Sequence, residues 1–478
     1  MNRSVFLPCF LAGGLATACL TASDRPNLIL VMTDDMGWGQ TGYGGHPFLK
    51  TPNLDAMAAS GLRFDRFYAG APNCSPTRAT VMTGRSNDRT GVQDHGYPLR
   101  LQERTIAQAL RGAGYATGHF GKWHLSGYSG PGAPVLKKDE RNPGVFGFET
   151  WLSATNFFDR DPLLGAPDGI HEFEGDSSEI IVGEALRFIG NIAKTEKPFF
   201  AVIWYGSPHA PFAASEADRA PFAGLSDASR DHHGELVAMD RSVGTLRSRL
   251  RELGIAENTL VWFNSDNGGL PEFRPESVGG LRGNKGTVYE GGLRVPGIIE
   301  WPVGIPRPRI THVPAGTVDI FPTLAAVAGL PESALPAVRD GMNLAPLFKG
   351  DLPSRDRPLG FRHRGRAAWI DGSMKLVTQR LGSDAFELYD LANDPNETAD
   401  LASAQPETVA RLASEFRKWN ESVEASVAGR DYPEGQVTDA ITRRRNWPEE
   451  DLYKPWFEEW KSRPEFSRYL TDGGKRKK

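Results

Sequence analysis

The chain has 478 residues, enough for two to four domains of ordinary size or for one large domain with a smaller companion. With 39% hydrophobic and 24% charged residues, its composition excludes collagenous, coiled-coil and wholly disordered chains. The formal net charge of −4 provides no broad positive surface for nucleic acid, so any anionic ligand must be held by a few placed cations.

The first element in chain order is a predicted signal peptide over residues 1–22. Arg3 supplies a positive start, residues 5–20 are mostly apolar or small, and residues 16–18 (Ala-Thr-Ala) resemble a cleavage site. A proline and two glycines interrupt the apolar run, so we predict export and no stable membrane span. The destination is the periplasm or the exterior. Cys19, which would follow the cleavage site, leaves a lipoprotein open as an alternative.

From residue 24 onward, short runs rich in Val, Ile and Phe alternate with helical or glycine-rich stretches. This order is typical of an α/β domain, and we predict one over residues 23–355, with a large, mostly parallel sheet sandwiched by helices. The predicted buried strands are 27–33, 116–124, 199–205, 259–264 and 297–300. The predicted helices are 54–60, 105–111, 177–191, 231–253 and 318–329.

The sequence pattern changes near residue 350, where the segment KGDLPSRDRP is a candidate linker. Beyond it we predict a smaller α+β domain over residues 356–478. Its predicted elements are strands 366–370, 374–378 and 386–391, a hairpin turn at Asp371-Gly372 and a helix over 407–427. The tail after residue 430 carries three consecutive arginines, Arg443 to Arg445, and three tryptophans that we expect to pack in a core in preference to stacking on a ligand.

Polar residues follow three of the predicted strands. Asp34 and Asp35 follow the first strand, Asp266 and Asn267 follow the fourth, and His209 lies just beyond the third. Because the carboxyl ends of parallel strands meet at one edge of a sheet, these groups can converge there. Three carboxylates and an amide oxygen form an all-oxygen ligand set that suits Ca²⁺ or Mg²⁺ better than zinc. Either pair alone serves a turn or a helix cap equally well.

Cys74 is the one cysteine beyond the predicted signal peptide, so no internal disulfide is expected. A lone cysteine is usually a small buried hydrophobe, but the neighbours of Cys74 suggest more. Ser75 can cap a helix and Pro76 suits its first position, which puts Cys74 just before a helix amino terminus, where free N–H groups favour anions. Arg78 lies one turn into that helix and can fold back onto residue 74.

These segments together resemble the sulfatase family of the alkaline phosphatase superfamily. The matching segments, in order from residue 26 to residue 397, are PNLILVMTDDMGWG, CSPTR, GKWHL, SPHAP, SDNGG, GNKGTVYEGGLRVP, ELYDL and DPNE. The resemblance implies an alkaline phosphatase-like fold and hydrolysis of sulfate monoesters on a carbohydrate or aryl substrate. It also implies that a separate maturation enzyme oxidises Cys74 to formylglycine. One hydroxyl of the hydrated aldehyde attacks sulfur, and collapse of the other expels sulfate, a reset that serine cannot perform.

The resemblance also implies roles for the other site residues. One divalent cation, Ca²⁺ or alternatively Mg²⁺, would be held by Asp34, Asp35, Asp266, Asn267 and the modified residue 74. Arg78 would hold the geminal diol. Lys122 and His124 share a face of a predicted strand and would point toward the sulfate.

On the leaving-group side, the resemblance implies that Lys285 bridges sulfate and leaving oxygen. It implies that His209 acts as the general acid that protonates the leaving alkoxide. Among the remaining residues, His95 and Arg100 follow the nucleophile helix and are the best candidates for substrate contacts, although a histidine outside the motifs is more often an ordinary surface or core residue.

Two other functions are considered. A phosphomonoester or phosphodiester hydrolase of the same superfamily would carry a Ser or Thr nucleophile and extra histidine ligands for a second metal. The pair Asp266-Asn267 and the cysteine at residue 74 favour the sulfatase. A non-catalytic binding protein with this fold is the other alternative, but every expected catalytic position is filled. By analogy alone, a sulfated glycan suits an exported enzyme better than a small aryl ester.

Overall fold

The computed structural model describes residues 25–195 and 197–470. The predicted signal peptide over residues 1–22 lies outside the described residues, so export stays a prediction. No helix within the described ranges has both the length and the apolar character needed to cross a bilayer.

Strands and helices alternate along most of the described chain, as expected of an α/β fold. The strands are β1 (Asn27–Thr33), β2 (Leu62–Tyr68), β3 (Ala116–Lys122), β4 (Tyr128–Ser129), β5 (Thr150–Ala154), β6 (Leu163–Ala166), β7 (Gly169–Glu172), β8 (Phe199–Trp204), β9 (Thr259–Ser265), β10 (Arg294–Glu300), β11 (Arg309–Thr311), β12 (Ala315–Gly316), β13 (Leu359–His363), β14 (Arg366–Asp371), β15 (Met374–Thr378), β16 (Glu387–Asp390) and β17 (Arg445–Asn446). The helices are α1 (Pro52–Ser60), α2 (Cys74–Thr83), α3 (Ile106–Gly112), α4 (Ser177–Ile192), α5 (Glu216–Arg219), α6 (Asp227–Glu252), α7 (Glu290–Leu293), α8 (Ile320–Val327), α9 (Pro346–Lys349), α10 (Pro406–Val427), α11 (Phe457–Trp460) and α12 (Pro464–Leu470).

The large sheet has eleven strands within the described ranges. Their order is β11-β2-β10-β9-β1-β8-β3-β5-β6-β7, with β12 also paired to β2. The five central strands, from β9 to β5, are parallel, whereas β10, β6 and β7 run antiparallel to their neighbours. The predicted fold class, a large and mostly parallel sheet with flanking helices, is therefore confirmed.

Helices cover both faces of the sheet because the central strands are apolar on both sides. In β1, Leu28 and Leu30 pack in one core cluster with residues of α2, α3 and α8. Ile29 and Val31 pack in a second cluster with residues of α4 and α6. Successive side chains of a strand point to opposite faces, so a continuous apolar run predicts this sandwich.

All five predicted strands of the large sheet are present, as β1, β3, β8, β9 and β10. Strand β3 ends at Lys122, two residues before its predicted end, so the prediction that Lys122 and His124 share a strand face is wrong: His124 lies beyond the strand with a φ of 55°. Strand β2 was not predicted, because Arg63, Asp65 and Arg66 interrupt its apolar residues. It pairs with β10 and β11, and Arg63 and Asp65 remain half-buried there. The helix predicted to begin at Pro76 with Ser75 as its cap begins two residues earlier, at Cys74, because the Asn73 side chain accepts a hydrogen bond from the Cys74 N–H and caps it.

The smaller sheet has the order β13-β14-β15-β16 and is antiparallel. One face of it packs on α10, for example through Trp369 and Phe416, while Phe361 on the other face packs against residues of the large sheet and its loops. Asp371 pairs with Met374, so the hairpin turn is Gly372-Ser373, one residue later than predicted. The division into residues 23–355 and 356–478 stays a prediction.

The tail folds back onto the large α/β part of the molecule. Trp447 and Trp460 are fully buried in a cluster with Tyr128 and Leu163. The Trp447 indole N–H donates to the carbonyl oxygen of Pro131 at 3.0 Å. These two tryptophans therefore pack in a core, as predicted.

Candidate active site

The predicted site residues converge at the carboxyl edge of the parallel strands. Strands β9, β1, β8 and β3 are consecutive neighbours, so the segments that follow them lie side by side. The Asp266 N–H donates to the carbonyl oxygen of Thr33, and the Asp35 N–H donates to Asp266 Oδ1, each at 3.1 Å. These bonds hold the two acidic pairs together across more than two hundred residues of sequence.

Lys122, the last residue of β3, reaches this edge because the preceding glycine allows a close approach of two strands. Gly121 has a φ of 104°, in the region that favours glycine. A Cβ at this position would lie 2.0 Å from the carbonyl oxygen of Trp204 in β8. Any other residue would push β3 and Lys122 away from the acidic cluster.

Cys74 is the first residue of α2 and is fully buried beside the acidic residues. Its Sγ donates to Asp34 Oδ1 at 3.3 Å. Burial, followed by the charges of Asp266 and Asp34, raises the pKa of the thiol well above its ordinary value. The unmodified thiol is therefore poorly suited to act as a nucleophile in this position.

The acidic cluster fits a divalent cation. One ligand atom from each of Asp34, Asp35, Cys74 and Asp266 lies within 4.8 Å of the others, and all four residues are buried. Asn267 Oδ1 is also buried and, among the described residues, accepts no hydrogen bond. Burial and the Asp34 charge raise the pKa of Asp266 to about 7. Extra positive charge is therefore needed to keep all three carboxylates ionised.

Each buried carboxylate also has a cationic partner. The pairs are Lys122 Nζ with Asp34 Oδ2 at 2.6 Å, Lys285 Nζ with Asp35 Oδ1 at 2.6 Å, and Arg78 Nη2 with Asp266 Oδ2 at 2.7 Å. Three negative charges thus face three positive charges. A divalent cation would leave this cluster net positive, which suits an anionic substrate.

His209 lies beside Asp35 and is held by two contacts. Its Nδ1 is 2.5 Å from the Ala210 carbonyl oxygen, which can only accept, so Nδ1 carries a hydrogen. Its ring stacks on Phe157 with centroids 4.6 Å apart. Nε2 then faces Asp35 Oδ2 at 3.7 Å. Burial and the Lys285 charge lower the pKa of His209 to about 3, so its ring is neutral without substrate.

His124 and His95 form another wall of the site. Their rings meet edge to face with centroids 4.5 Å apart, and each has a ring nitrogen within 4.8 Å of Cys74 Sγ. The two ring nitrogens of His124 are buried and have no hydrogen-bond partner among the described residues. His124 also has a φ of 55°, which is costly for a non-glycine residue and common at functional sites. The ring nitrogens of His124 are therefore available to bind a ligand in the site.

Arg100 does not contact the site, contrary to our expectation. It is buried, and its guanidinium donates to the carbonyl oxygens of Ser426 and Val427 at 3.0 and 2.9 Å. It therefore anchors the end of α10. Sequence reasoning also missed Phe157, because nothing in its local sequence indicates that it stacks on a histidine more than fifty residues away.

Comparison with known proteins identifies the family. The sequence model of the Sulfatase family matches residues 26–330. The chain is a member of the sulfatase family. This sulfatase is therefore a sulfuric ester hydrolase, and the family uses a formylglycine and a divalent metal.

Relatives of the sulfatase cover most of its length. It is 34% identical over 389 residues to N-acetylgalactosamine-6-sulfatase of Canis lupus familiaris, covering 74% of this chain and 71% of that protein. It is 34% identical over 486 residues to arylsulfatase A of Homo sapiens, covering 86% and 89%. The solved structure of Ps i-CgsB in complex with k-i-k-neocarrahexaose superposes with a TM-score of 0.74 at 25% identity, covering 93% of this chain and 99% of that one.

Proposed function

We propose that this sulfatase hydrolyses a sulfate monoester of a carbohydrate, with formylglycine at residue 74 and one Ca²⁺ ion. The observation that carries the proposal is the position of the Cys74 side chain against Asp34, inside the cluster that also contains Asp35 and Asp266. The carbohydrate class is supported by the relative named for N-acetylgalactosamine 6-sulfate and by the neighbour bound to neocarrahexaose.

The cation would be held by the oxygens of Asp34, Asp35, Asp266 and Asn267 together with the side chain of residue 74. This all-oxygen set favours Ca²⁺, and Mg²⁺ is the alternative. When bound, the cation supplies positive charge that polarises the sulfate and activates the hydroxyl of residue 74. The hydrated formylglycine supplies that attacking hydroxyl and a second hydroxyl whose collapse frees sulfate.

The protein's own cations orient the sulfate. Lys122 is the last residue of β3, His124 lies two residues beyond it, and Lys285 reaches the site from another segment to pair with Asp35. Arg78 is fully buried one turn after residue 74, where its charge can hold the geminal diol. Lys285 is part-exposed, whereas Lys122, His124 and Arg78 are buried. We therefore propose that the ester enters past Lys285.

His209 is the proposed general acid. The Ala210 carbonyl fixes the hydrogen on Nδ1, so Nε2 is the atom free to carry a proton to the leaving oxygen. Without substrate, burial and Lys285 keep the ring neutral. We infer that the negative charge of a bound sulfate ester offsets Lys285 and raises this pKa, so that the ring is protonated when it is needed.

The proposed maturation enzyme must act on the unfolded chain. Cys74, Ser75, Pro76 and Arg78 are all buried in the folded protein, so a second enzyme cannot reach them there. We therefore propose that residues 74–78 are recognised during synthesis or export, before α2 packs.

The test combines mass spectrometry with activity. Protein produced with the maturation enzyme should lose about 18 Da from the peptide containing Cys74, and it should release sulfate from sulfated sugars. Cys74→Ala should lower turnover at least about a thousandfold while the melting temperature stays nearly unchanged, since the side chain is small. A phosphate ester series serves as the control. Fully active protein with an intact thiol, or an active Cys74→Ala variant, contradicts the proposal.

A further inference from the structure

The tail segment that carries three consecutive arginines, residues 443–445, is joined through β17 to β4, a few residues after His124. Strand β17, which contains Arg445, pairs in parallel with β4, and β4 follows the loop that begins at His124. The Arg445 N–H donates to the Gly127 carbonyl oxygen at 2.8 Å, and its guanidinium lies over the Tyr128 ring, 4.8 Å from the centroid. Arg445 also pairs with Glu450 at 2.9 Å, so its role is structural.

Strand β4 connects this tail segment to the wall formed by His95. Gly96 packs so closely on β4 that a Cβ there would lie 3.0 Å from the Tyr128 carbonyl oxygen. Residues 443 and 444 directly precede β17, so the β17–β4 pairing places their backbone near the segment that carries His95 and Gly96. The His95 side chain is half-buried there.

Arg443 and Arg444 differ from Arg445 in having no partner. Both are exposed, and neither guanidinium makes a hydrogen bond or ion pair with any residue in the ranges that the structure describes. By contrast, Arg364 near the same wall pairs with Asp94 at 3.0 Å. The backbone on both sides of the arginine pair is nevertheless held, by β17 and by Asp439, which pairs with the buried Arg141 at 2.7 Å.

We propose that Arg443 and Arg444 bind a second anionic group of the substrate, a sulfate or a carboxylate on the sugar next to the one that carries the scissile ester. This inference rests on the proposed function. Two exposed guanidinium groups on a held backbone, close to a site for one anion, can bind a second anion, because each presents a planar set of N–H donors to a sulfate or carboxylate. A neutral neighbouring sugar gains nothing from them, so the arginine pair determines specificity and does not take part in the chemistry.

The test compares Arg444→Gln and the double variant R443Q/R444Q with wild type on three matched disaccharides. Each carries the same scissile sulfate, and the neighbouring sugar is neutral, sulfated or a uronate. We expect the double variant to lose about tenfold in kcat/KM, through KM, on the two dianionic substrates and less than about twofold on the neutral one. Arg111→Gln is the matched control: Arg111 is exposed, has no side-chain partner in the described part of the chain, and lies in the last turn of α3, just before the amino end of β3, so its loss should change none of the three rates.

Loss on only one dianionic substrate supports the inference and identifies the anion. Equal loss on all three substrates, no loss on any, or a wild-type enzyme without preference for the dianionic substrates overturns it. Failure of the proposed function is distinguishable, because formylglycine-containing wild type would then release no sulfate from any of the three.

Discussion

At the scale of single residues, the groups proposed to bind the sulfate and the group proposed to protonate the leaving oxygen come from different segments of the chain. Lys122 ends β3 and His124 follows two residues later, whereas His209 lies in the loop after β8 and stacks on Phe157. Substitution of the proposed acid therefore leaves the residues proposed to hold the sulfate in place. The loss of activity caused by removing His209 should therefore depend on how readily the leaving group departs without a proton.

We predict that His209→Ala lowers kcat on a sugar sulfate by about a hundredfold or more, because an alkoxide leaves poorly without a proton. On 4-nitrophenyl sulfate, whose phenolate leaves without help, the loss should be less than about fivefold. Phe157→Ala should show the same pattern more weakly, since it removes the stacking that orients the ring. Steady-state kinetics on both substrates measures this. Equal losses on the two would rule out the acid role and favour a role of His209 in binding.

Much of this site could be predicted from the sequence because strand ends are local signals. The apolar run before Asp34 and Asp35 and the run before Asp266 and Asn267 each ended where the structure ends a strand. Parallel pairing then brought them together without any knowledge of the loops. The Arg100 prediction failed for the opposite reason, because its partners, the carbonyls at the end of α10, lie more than three hundred residues away.

At the scale of secondary-structure elements, a buried ionic cluster joins the small sheet to α7. Lys375 of β15 lies 2.9 Å from Glu290 and 2.9 Å from Glu397, and all three side chains are fully buried. The Glu290 N–H donates to Glu397 Oε2 at 2.7 Å. Two carboxylates thus share one ammonium group. Burial, only partly offset by Lys375, raises the pKa of Glu397 to about 7 from an ordinary value of 4.5.

This cluster predicts a pH dependence of stability. Between about pH 4.5 and pH 7 the folded protein keeps the Glu397 proton and the unfolded chain does not, so the free energy of unfolding falls as pH rises through this window. The full effect is on the order of 3 kcal/mol. Glu397→Gln mimics the protonated carboxyl and should remove this part of the slope. Denaturant unfolding of both proteins at several pH values measures it. A variant with an unchanged slope would show that Glu397 titrates normally.

At the scale of the whole molecule, distant segments enclose the site from several directions. The acidic residues come from β1 and β9, residue 74 from α2, and the tail returns through β17 to lie beside β4. The sequence predicted that the tail tryptophans pack in a core, but not which core. Which residues they contact, such as Tyr128 and Leu163, depends on the tertiary packing of two segments that are distant in sequence, and the local sequence of the tail does not indicate it.

The charge balance of the site predicts how the whole protein responds to removal of the cation. Asp34, Asp35 and Asp266 each have a cationic side chain within 2.7 Å, so no buried carboxylate is left unpaired when the metal leaves. Chelation should therefore abolish sulfate release while unfolding remains a single cooperative transition. The free energy of unfolding should fall only by the linkage effect of losing the cation, about 3 to 4 kcal/mol if the cation had been present at 100 to 1,000 times its dissociation constant.

Calorimetry and activity assays on the same chelated sample check this prediction. Ca²⁺ should restore activity fully, and Mg²⁺ should do so less well, because the dense carboxylate cluster suits the larger ion. Lys122→Met provides the contrast: it removes the partner of Asp34, so its chelated form should unfold far more easily than chelated wild type. If chelated wild type is unfolded at room temperature, the internal ion pairs do not replace the metal, and the cation is part of the fold as well as of the chemistry.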